Sequence, residues 1–337
     1  MNKKPIILGI ESSCDDTSLA IIRGHTILSN VVSGQAVHAE YGGVVPELAS
    51  RAHQQNIVPT FEVALARSGL KKEDLQGIAY TRGPGLMGSL LVGSSFAKGL
   101  SLALGIPLLE VHHMRAHILA HLISDNASTP QFPFICLTVS GGHTQLVKVS
   151  SPEEMKVMGE TIDDAAGEAF DKTAKMLGLP YPGGPLIDKL AQSGTAGTHP
   201  FKVADLKDYQ FSFSGFKTSV LYYLRKQMEK DQAFIQKNLP DLCASIQSCI
   251  LDSLFNKLDK LVKDSGIKEV AIAGGVSANS ELRSRMKAKE KDGWTIHLPK
   301  FEYCTDNAAM IAMAGYYQYQ SASFGKLDAV PLASMPF

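Results

Sequence analysis

Two imidazoles one helical turn apart carry the first chemical suggestion in this 337-residue chain. The apolar run Ile106-Pro-Leu-Leu-Glu-Val111 leads into His112-His113-Met-Arg-Ala-His117-Ile-Leu-Ala-His121-Leu-Ile, whose apolar spacing predicts a helix. Residues four apart on a helix share a face, so His113 and His117 can grip one metal ion and leave other coordination positions open. The pair is equally compatible with a helix that is merely rich in histidine, because His112 and His121 flank it. A third ligand from elsewhere in the chain would decide between the two.

The acidic candidates are Asp15, Asp16, Glu168, Asp171, Asp188 and Asp306. Asp15 and Asp16 sit in a hairpin turn, where they can be plain turn formers, and at most one of them is expected to act catalytically. In Asp163-Asp-Ala-Ala-Gly-Glu-Ala-Phe-Asp171, positions 164, 168 and 171 fall on one helix side. A solvated face gives the same pattern, but the glycine- and proline-rich turn after Asp171 tilts that residue toward ligand contact. The stretch Phe211-Ser-Phe-Ser-Gly-Phe-Lys217 is either a strand edge packing its phenylalanines or a ligand lining in which Lys217 meets phosphate.

Glycine junctions between strands and helices add an anion-binding element, since free N–H groups and the helix dipole favour phosphate there. Gly83-Pro-Gly85 to Gly88, Ser140-Gly141-Gly142-His143 and Gly274-Gly275 all qualify, and none carries the lysine of a P-loop. Together with Pro182-Gly183-Gly184-Pro185 they favour a nucleotide or acyl-phosphate ligand.

The elements that must position these groups repeat. Ile6 to Ile22 reads as strand, small polar turn, strand, and Phe134 to Val149 repeats that grammar. Two such hairpins predict duplicated α/β domains with a ligand cleft between them. Helical spacing covers Glu47–Gly69, Gly88–Leu104 and Leu239–Ser265, with strands at Gly77–Tyr80 and Val270–Ala273. Gly274 to Asn279 is expected to open another helix. The last helix, about Thr305 to Tyr319, is expected to begin with an N-cap threonine followed by a first-turn carboxylate, Asp306. Ser124 to Gln131 is the expected domain boundary.

Bulk properties set limits. Lysine plus arginine and aspartate plus glutamate each total 33, which argues against binding nucleic acid by bulk electrostatics but not against a local patch. The stretches Arg225–Lys237 and Arg283–Lys291 read as solvated helix faces. Five scattered cysteines without a CxxC pair argue against disulfide scaffolds and zinc knuckles. The amino-terminal apolar run is too short for a signal-peptide core, no later segment approaches the length needed to cross a bilayer, and a cytoplasmic protein is expected.

Taken together, the motifs resemble the tRNA N6-adenosine threonylcarbamoyltransferase family, its bacterial branch in particular. The resemblance covers nearly the whole chain. It is carried by Gly9-Ile-Glu-Ser-Ser-Cys-Asp-Asp, Gly42-Gly-Val-Val-Pro-Glu-Leu-Ala-Ser-Arg51, Gly83-Pro-Gly-Leu-Met-Gly-Ser-Leu-Leu-Val-Gly93 and His113-x-x-Ala-His117. It continues through Val139-Ser-Gly-Gly-His-Thr144, Ala166-Gly-Glu-Ala-Phe-Asp-Lys172, Tyr181-Pro-Gly-Gly-Pro185 and Phe211-Ser-Phe-Ser-Gly215, then Gly274-Gly-Val-Ser-Ala-Asn279 and Cys304-Thr-Asp-Asn307. Arg115-Ala116 replaces a frequent Glu-Gly, and Phe216 a frequent leucine; neither is an expected ligand.

The resemblance implies an actin-like, sugar-kinase-like α/β fold of two duplicated domains, 1–125 completed by 305–337, and 126–304. It implies an acyltransferase that moves threonylcarbamoyl from threonylcarbamoyl-AMP to N6 of adenosine 37 in tRNAs reading codons that begin with adenine, releasing AMP. It supplies a third metal ligand, Asp306, beside His113 and His117, for one Fe(2+) per subunit, with Zn2+ also compatible with such donors. It assigns Thr138, Val139, Ser140, Gly141, Gly142, Asp171, Gly184, Asp188 and Asn279 to the adenylate, and leaves Asp15 or Asp16 to help remove the amine proton. The implied partners are the tRNA anticodon loop, a metal-less paralogue, a small P-loop ATPase and a synthase that supplies the adenylate, with no membrane.

Three rival readings follow from the same residues. A zinc protease needs a glutamate right after the first histidine, where Met114 stands. A small-molecule kinase or ATPase of the same fold has no need of the histidine pair. A non-catalytic tRNA or partner scaffold has no need of the full set of acids and ligands.

Overall fold

The first apolar run folds back on itself as expected. In the computed structural model, which describes residues 4–35, 38, 41 and 43–337, β1 (Ile6–Glu11) pairs antiparallel with β2 (Thr17–Arg23), from Ile6 opposite Arg23 to Glu11 opposite Ser18. Gly42, which opens one of the motifs quoted above, lies outside the described residues. β2 continues antiparallel into β3 (Thr26–Ser33), while β4 (Gly77–Gly83) and β5 (Leu108–His112) add in parallel on the other side of β1. The resulting strand order is β3-β2-β1-β4-β5.

Alternation along these strands sorts their side chains onto two faces. Leu8, Ile10, Leu19 and Ile21 meet Ile57, Phe61 and Ala64 of helix α1 (Pro46–Ser68) and Ala97 of helix α2 (Met87–Leu104). The opposite face, which takes Ile7, Gly9 and Glu11, receives the last helix of the chain, α9 (Ala308–Gln320), with the short α3 (His113–Leu119) packed beside it. Burial on this scale, at about 25 cal/mol per Å² of apolar area, is what holds the sheet between its helices. These elements form one compact unit, Met1–Pro130 with Ser150–Glu154 and Pro299–Phe337.

The second unit, Gln131–Val149 with Met155–Leu298, repeats the plan. Strands β6 (Phe134–Val139), β7 (Thr144–Val149) and β8 (Met155–Glu160) form an antiparallel meander. β9 (Glu269–Ala273) and β10 (Thr295–His297) then add in parallel beside β6. Read from the meander inward, the order β8-β7-β6-β9-β10 matches β3-β2-β1-β4-β5 strand for strand. Its helices are α4 (Ala166–Met176), α5 (Gly183–Ala191), α6 (Ser214–Met228), α7 (Phe234–Ser265) and α8 (Ser280–Ala288).

Four boundaries differ from the sequence reading, each for a local reason. α7 begins at Phe234, with Pro240 inside it, because Phe234, Ile235 and Leu239 all pack on the core and outweigh the lost donor. α4 begins at Ala166, so Asp164 lies before the helix and shares no helical face with Glu168 and Asp171. Gly275–Ala278 is a single 3-10 turn, and α8 starts only after Asn279 caps it. α9 starts at Ala308 with Asn307 as the cap, its Oδ1 accepting from the Met310 N–H at 3.0 Å. Asp306 is therefore not a first-turn carboxylate, and its side chain is free of capping duty. The expectation that no segment is long enough to cross a bilayer also needs correction. α2, at 18 residues with one charge, meets that test by length and composition, although here it packs on α1 and β4.

Candidate metal centre

β5 runs into α3 without a loop. His112 ends the strand and its Nδ1 accepts from the Met114 N–H at 3.2 Å, which leaves His113 as the first helical residue and His117 one turn on. Both rings are buried, with centroids 4.8 Å apart and planes nearly perpendicular. Asp306 reaches them from the segment just before α9, and its Oδ1 lies 3.4 Å from Nε2 of each histidine. One donor atom from each of the three residues falls within 4.8 Å of the others.

Two contacts put Asp306 there. Gly9 on β1 lets α9 lie directly on the strand: a Cβ at that position would stand 2.3 Å from the Ala308 carbonyl oxygen and 2.6 Å from the Ala312 nitrogen. The Ala308 N–H also donates to Ser18 Oγ on β2 at 2.9 Å, pinning the helix start.

The donor set fits a divalent cation. Among the described residues the buried Nδ1 of His117 has no hydrogen-bond partner and its Nε2 meets only the Asp306 oxygen, at 3.4 Å; such an unmet group costs about 1–3 kcal/mol unless something satisfies it. Burial disfavours the charged form of His117, despite Asp306, and holds its pKa below the ordinary histidine value. For His113 burial acts the same way, but Asp306 and Glu11 outweigh it and raise the pKa well above that value. Burial likewise opposes ionisation of Asp306, yet the two histidines hold its carboxyl below the usual carboxylate range. Two imidazoles and one carboxylate are the donors of an open metal site rather than a closed structural one.

The sequence reading missed Glu11, which it took only as a charge ending an apolar run. Glu11 is fully buried, and its Oε2 accepts from His113 Nδ1 at 3.0 Å and from Thr81 Oγ1 at 2.7 Å. It also missed His53 on α1, whose ring meets Thr17 Oγ1 at 2.7 Å and the Cys14 carbonyl at 3.0 Å, and so fastens the turn that holds Asp15 and Asp16. The available signal was a histidine in phase with the buried Ala49 and Ile57 of α1. Burial, with Asp15, Asp306 and Glu11 nearby, pushes the Asp16 carboxyl up to about 6.

The remaining candidates lie in the second unit. Ser140, Gly141, Gly142 and His143 form the β6–β7 turn, in which Ser140 Oγ accepts from the His143 N–H and the Ser140 carbonyl accepts from the Gly167 N–H at the start of α4. Gly274, at φ +87°, brings the loop after β9 against β6, where a Cβ would stand 2.5 Å from the Val139 carbonyl. Thr138 and Val139 have fully buried side chains, and Thr138 Oγ1 donates to the Gln145 carbonyl. Asp171 Oδ1 accepts from the N–H groups of Gly183 and Gly184 at 2.9 and 3.0 Å, tying α4 to the start of α5. Asp188 does the same for α8, accepting from Ser280 N and Oγ. Asn279 caps α8 through Leu282 N and donates to Gln247 Oε1. The phenylalanines at 211, 213 and 216 are buried, and Lys217 is ion-paired with Asp164.

Comparison with known proteins shows what the chain as a whole is similar to. The family profile described as tRNA N6-adenosine threonylcarbamoyltransferase matches residues 26–313. The protein of that name from Porphyromonas gingivalis is 57% identical over 337 residues, covering 99% of each chain. That from Christiangramia forsetii is 59% identical over 325 residues, covering 96% of each. Among solved structures, full-length HypF in the phosphate- and nucleotide-bound form superposes with a TM-score of 0.63 at 13% identity, over 94% of this chain and 47% of that one. The activator of the 2-hydroxyisocaproyl-CoA dehydratase from Clostridium difficile gives a TM-score of 0.50 at 14% identity, over 94% and 97%. Likeness at that level speaks to the fold alone, and it is the actin-like, sugar-kinase-like α/β fold. The profile and the full-length identities decide the rest: this chain belongs to the tRNA N6-adenosine threonylcarbamoyltransferase family.

Proposed function

We propose that the chain transfers threonylcarbamoyl from threonylcarbamoyl-adenylate to N6 of adenosine 37 in tRNAs reading codons that begin with adenine, releasing AMP. The observation that carries this reading is the pair of buried Nε2 atoms converging on one Asp306 oxygen, in a chain whose relatives bear that enzyme's name. The acceptor amine is a poor nucleophile, because its lone pair is delocalised into the purine. The rate must therefore come from holding donor and acceptor together and from stabilising charge on the carbonyl and phosphate.

His113, His117 and Asp306 hold a divalent metal in this reading, Fe(2+) by family likeness, with Zn2+ suited to the same donors. A cation there supplies Lewis-acid polarisation of the donor's oxygens. With Glu11 and Asp306 ionised and both imidazoles neutral, a dication brings the buried set to zero net charge. Asp16 serves as proton acceptor for the amine in this reading, since burial brings its carboxyl up to about 6, near working pH. Ser140, Gly141 and Gly142 offer the adenylate exposed turn backbone, while Thr138 and Val139 contribute main chain only. Asp171 with Gly184, and Asp188 with Asn279, shape the flanking helix starts. An anticodon-loop base is single-stranded and can be splayed out to reach the donor. A neutral chain holds tRNA with help, from a metal-less paralogue and a small P-loop ATPase, and a separate synthase supplies the adenylate; the setting is cytoplasmic.

The test is to incubate metal-loaded protein with synthetic adenylate and unmodified tRNA, with the helpers added or omitted, and to analyse the nucleosides by mass spectrometry. Threonylcarbamoyladenosine is expected with wild type and absent with His113→Ala. Its undiminished formation by His113→Ala would remove the histidine pair from the reaction.

A further inference from the structure

We infer that Glu11 is a positioning residue that fixes the tautomer and aim of His113 and thereby sets the affinity of the metal centre; this rests on the reading of His113, His117 and Asp306 as ligands. Taking a carboxylate out of water costs several kcal/mol, and β1 is otherwise apolar apart from Gly9. The duplicated sheet supplies an internal comparison. β6 occupies the place of β1 in the matching strand order, and its last residue is the fully buried Val139. A valine serves the scaffold there, so the acid at position 11 answers to a local need.

That need is visible in its partners. Oε1 accepts from the Ser13 N–H at 2.5 Å, while Oε2 accepts from Thr81 Oγ1 and His113 Nδ1. Held from three sides, the carboxylate cannot rotate away. Nδ1 also lies 3.2 Å from Ser13 Oγ, but the carboxylate is the nearer and stronger acceptor, and accepting the Nδ1 proton leaves the Nε2 lone pair of His113 directed toward Asp306, the geometry a ligand nitrogen requires. In the other tautomer Nε2 carries the proton and its lone pair is lost to a cation. Gln at position 11 keeps the shape, removes the charge, and can turn its NH2 toward Nδ1, favouring that wrong tautomer.

The experiment titrates the full-length protein with Zn2+ against a competing indicator, for wild type, Glu11→Gln, Thr81→Val and His117→Ala. It then follows the His113 Nδ1 proton by NMR in 15N-histidine-labelled, Zn2+-loaded samples, with thermal unfolding as a check on folding. Wild type is expected to bind one ion with a downfield, slowly exchanging Nδ1 proton. Glu11→Gln should bind about 10–100-fold more weakly and lose or shift that signal. Thr81→Val keeps the acid but frees one side of it, and should weaken binding less; it carries the test if Glu11→Gln fails to fold. Glu11→Gln binding as tightly as wild type, with the proton unmoved, overturns the inference and leaves the ligand set standing. Wild type binding no better than His117→Ala overturns the ligand set itself.

Discussion

Replacing Gly9 by alanine should damage the metal centre from the far side of a helix. The added Cβ would stand 2.3 Å from the Ala308 carbonyl oxygen, and ordinary Cβ contacts stay above 3.0 Å, so the start of α9 must retreat by about 0.7 Å. The obstacle is backbone, with no side chain to swing aside. Asp306 lies two residues upstream and moves with that helix start, whereas ligand distances in metal sites hold to about 0.2 Å. Overpacking of this kind costs about 1–3 kcal/mol, and a unit of this size loses about 2–4 °C in melting temperature per kcal/mol. The assay is a Zn2+ titration alongside thermal unfolding of the metal-free protein, and both the affinity and the midpoint should fall. Ala312→Gly removes a second contact, at 2.8 Å, but leaves the carbonyl in place, so the double variant should not recover. If Gly9→Ala melts and binds like wild type, the seam between β1 and α9 does not set the position of Asp306.

Other outcomes follow from the same geometry. Free metal at 100 times its Kd should stabilise the protein by about 2.7 kcal/mol, so a chelator should lower the melting temperature of wild type and leave that of His117→Ala unmoved. In the metal-free protein the raised pKa of His113 contributes stability that is present below the unfolded histidine value and is lost as pH rises through the folded one. Metal must displace that proton, so affinity should rise with pH by about tenfold per unit until His113 is neutral; a flat titration series across pH would contradict this. Asp163 outside α6 is held below the usual carboxylate range, burial opposing and Ser212, Phe213 N and Ser214 N prevailing. Asp163→Ala should therefore lower stability in urea unfolding above the unfolded aspartate pKa, by a fraction of about 1 kcal/mol because the carboxyl is exposed, a difference that shrinks as pH falls through the folded value.

Much of this was legible in the residues. The hairpins showed because strand, polar turn and strand follow one another in a short span, and the histidine pair because its spacing equals one helical turn. The place of Asp306 was not readable from local pattern, since Thr-Asp-Asn offers three capping residues and only the packed helix shows that Asn307 takes the task. Glu11 stayed hidden for a different reason. A lone acid after an apolar strand looks like the end of burial, and its partners come from positions 81 and 113, far along the chain. Asp171 stood out as an acid before a glycine-rich turn and Asp188 gained a role only through the family resemblance, and their hydrogen bonds to Gly183, Gly184 and Ser280 depend on how α5 and α8 approach, which no periodicity encodes.

The second unit interrupts the first, whose sheet is not covered on its other face until α9 arrives. On the ribosome, Glu11 and Asp306 emerge 295 positions apart, an interval of roughly 15–60 s at typical elongation rates. The inserted unit is made within that interval, its strands β9 and β10 last, and the histidines, once made, wait without their carboxylate partner. A nascent or prematurely terminated chain thus carries the two histidines without Asp306, and the order in which the parts are made leaves the donor set unfinished until the last helix is added.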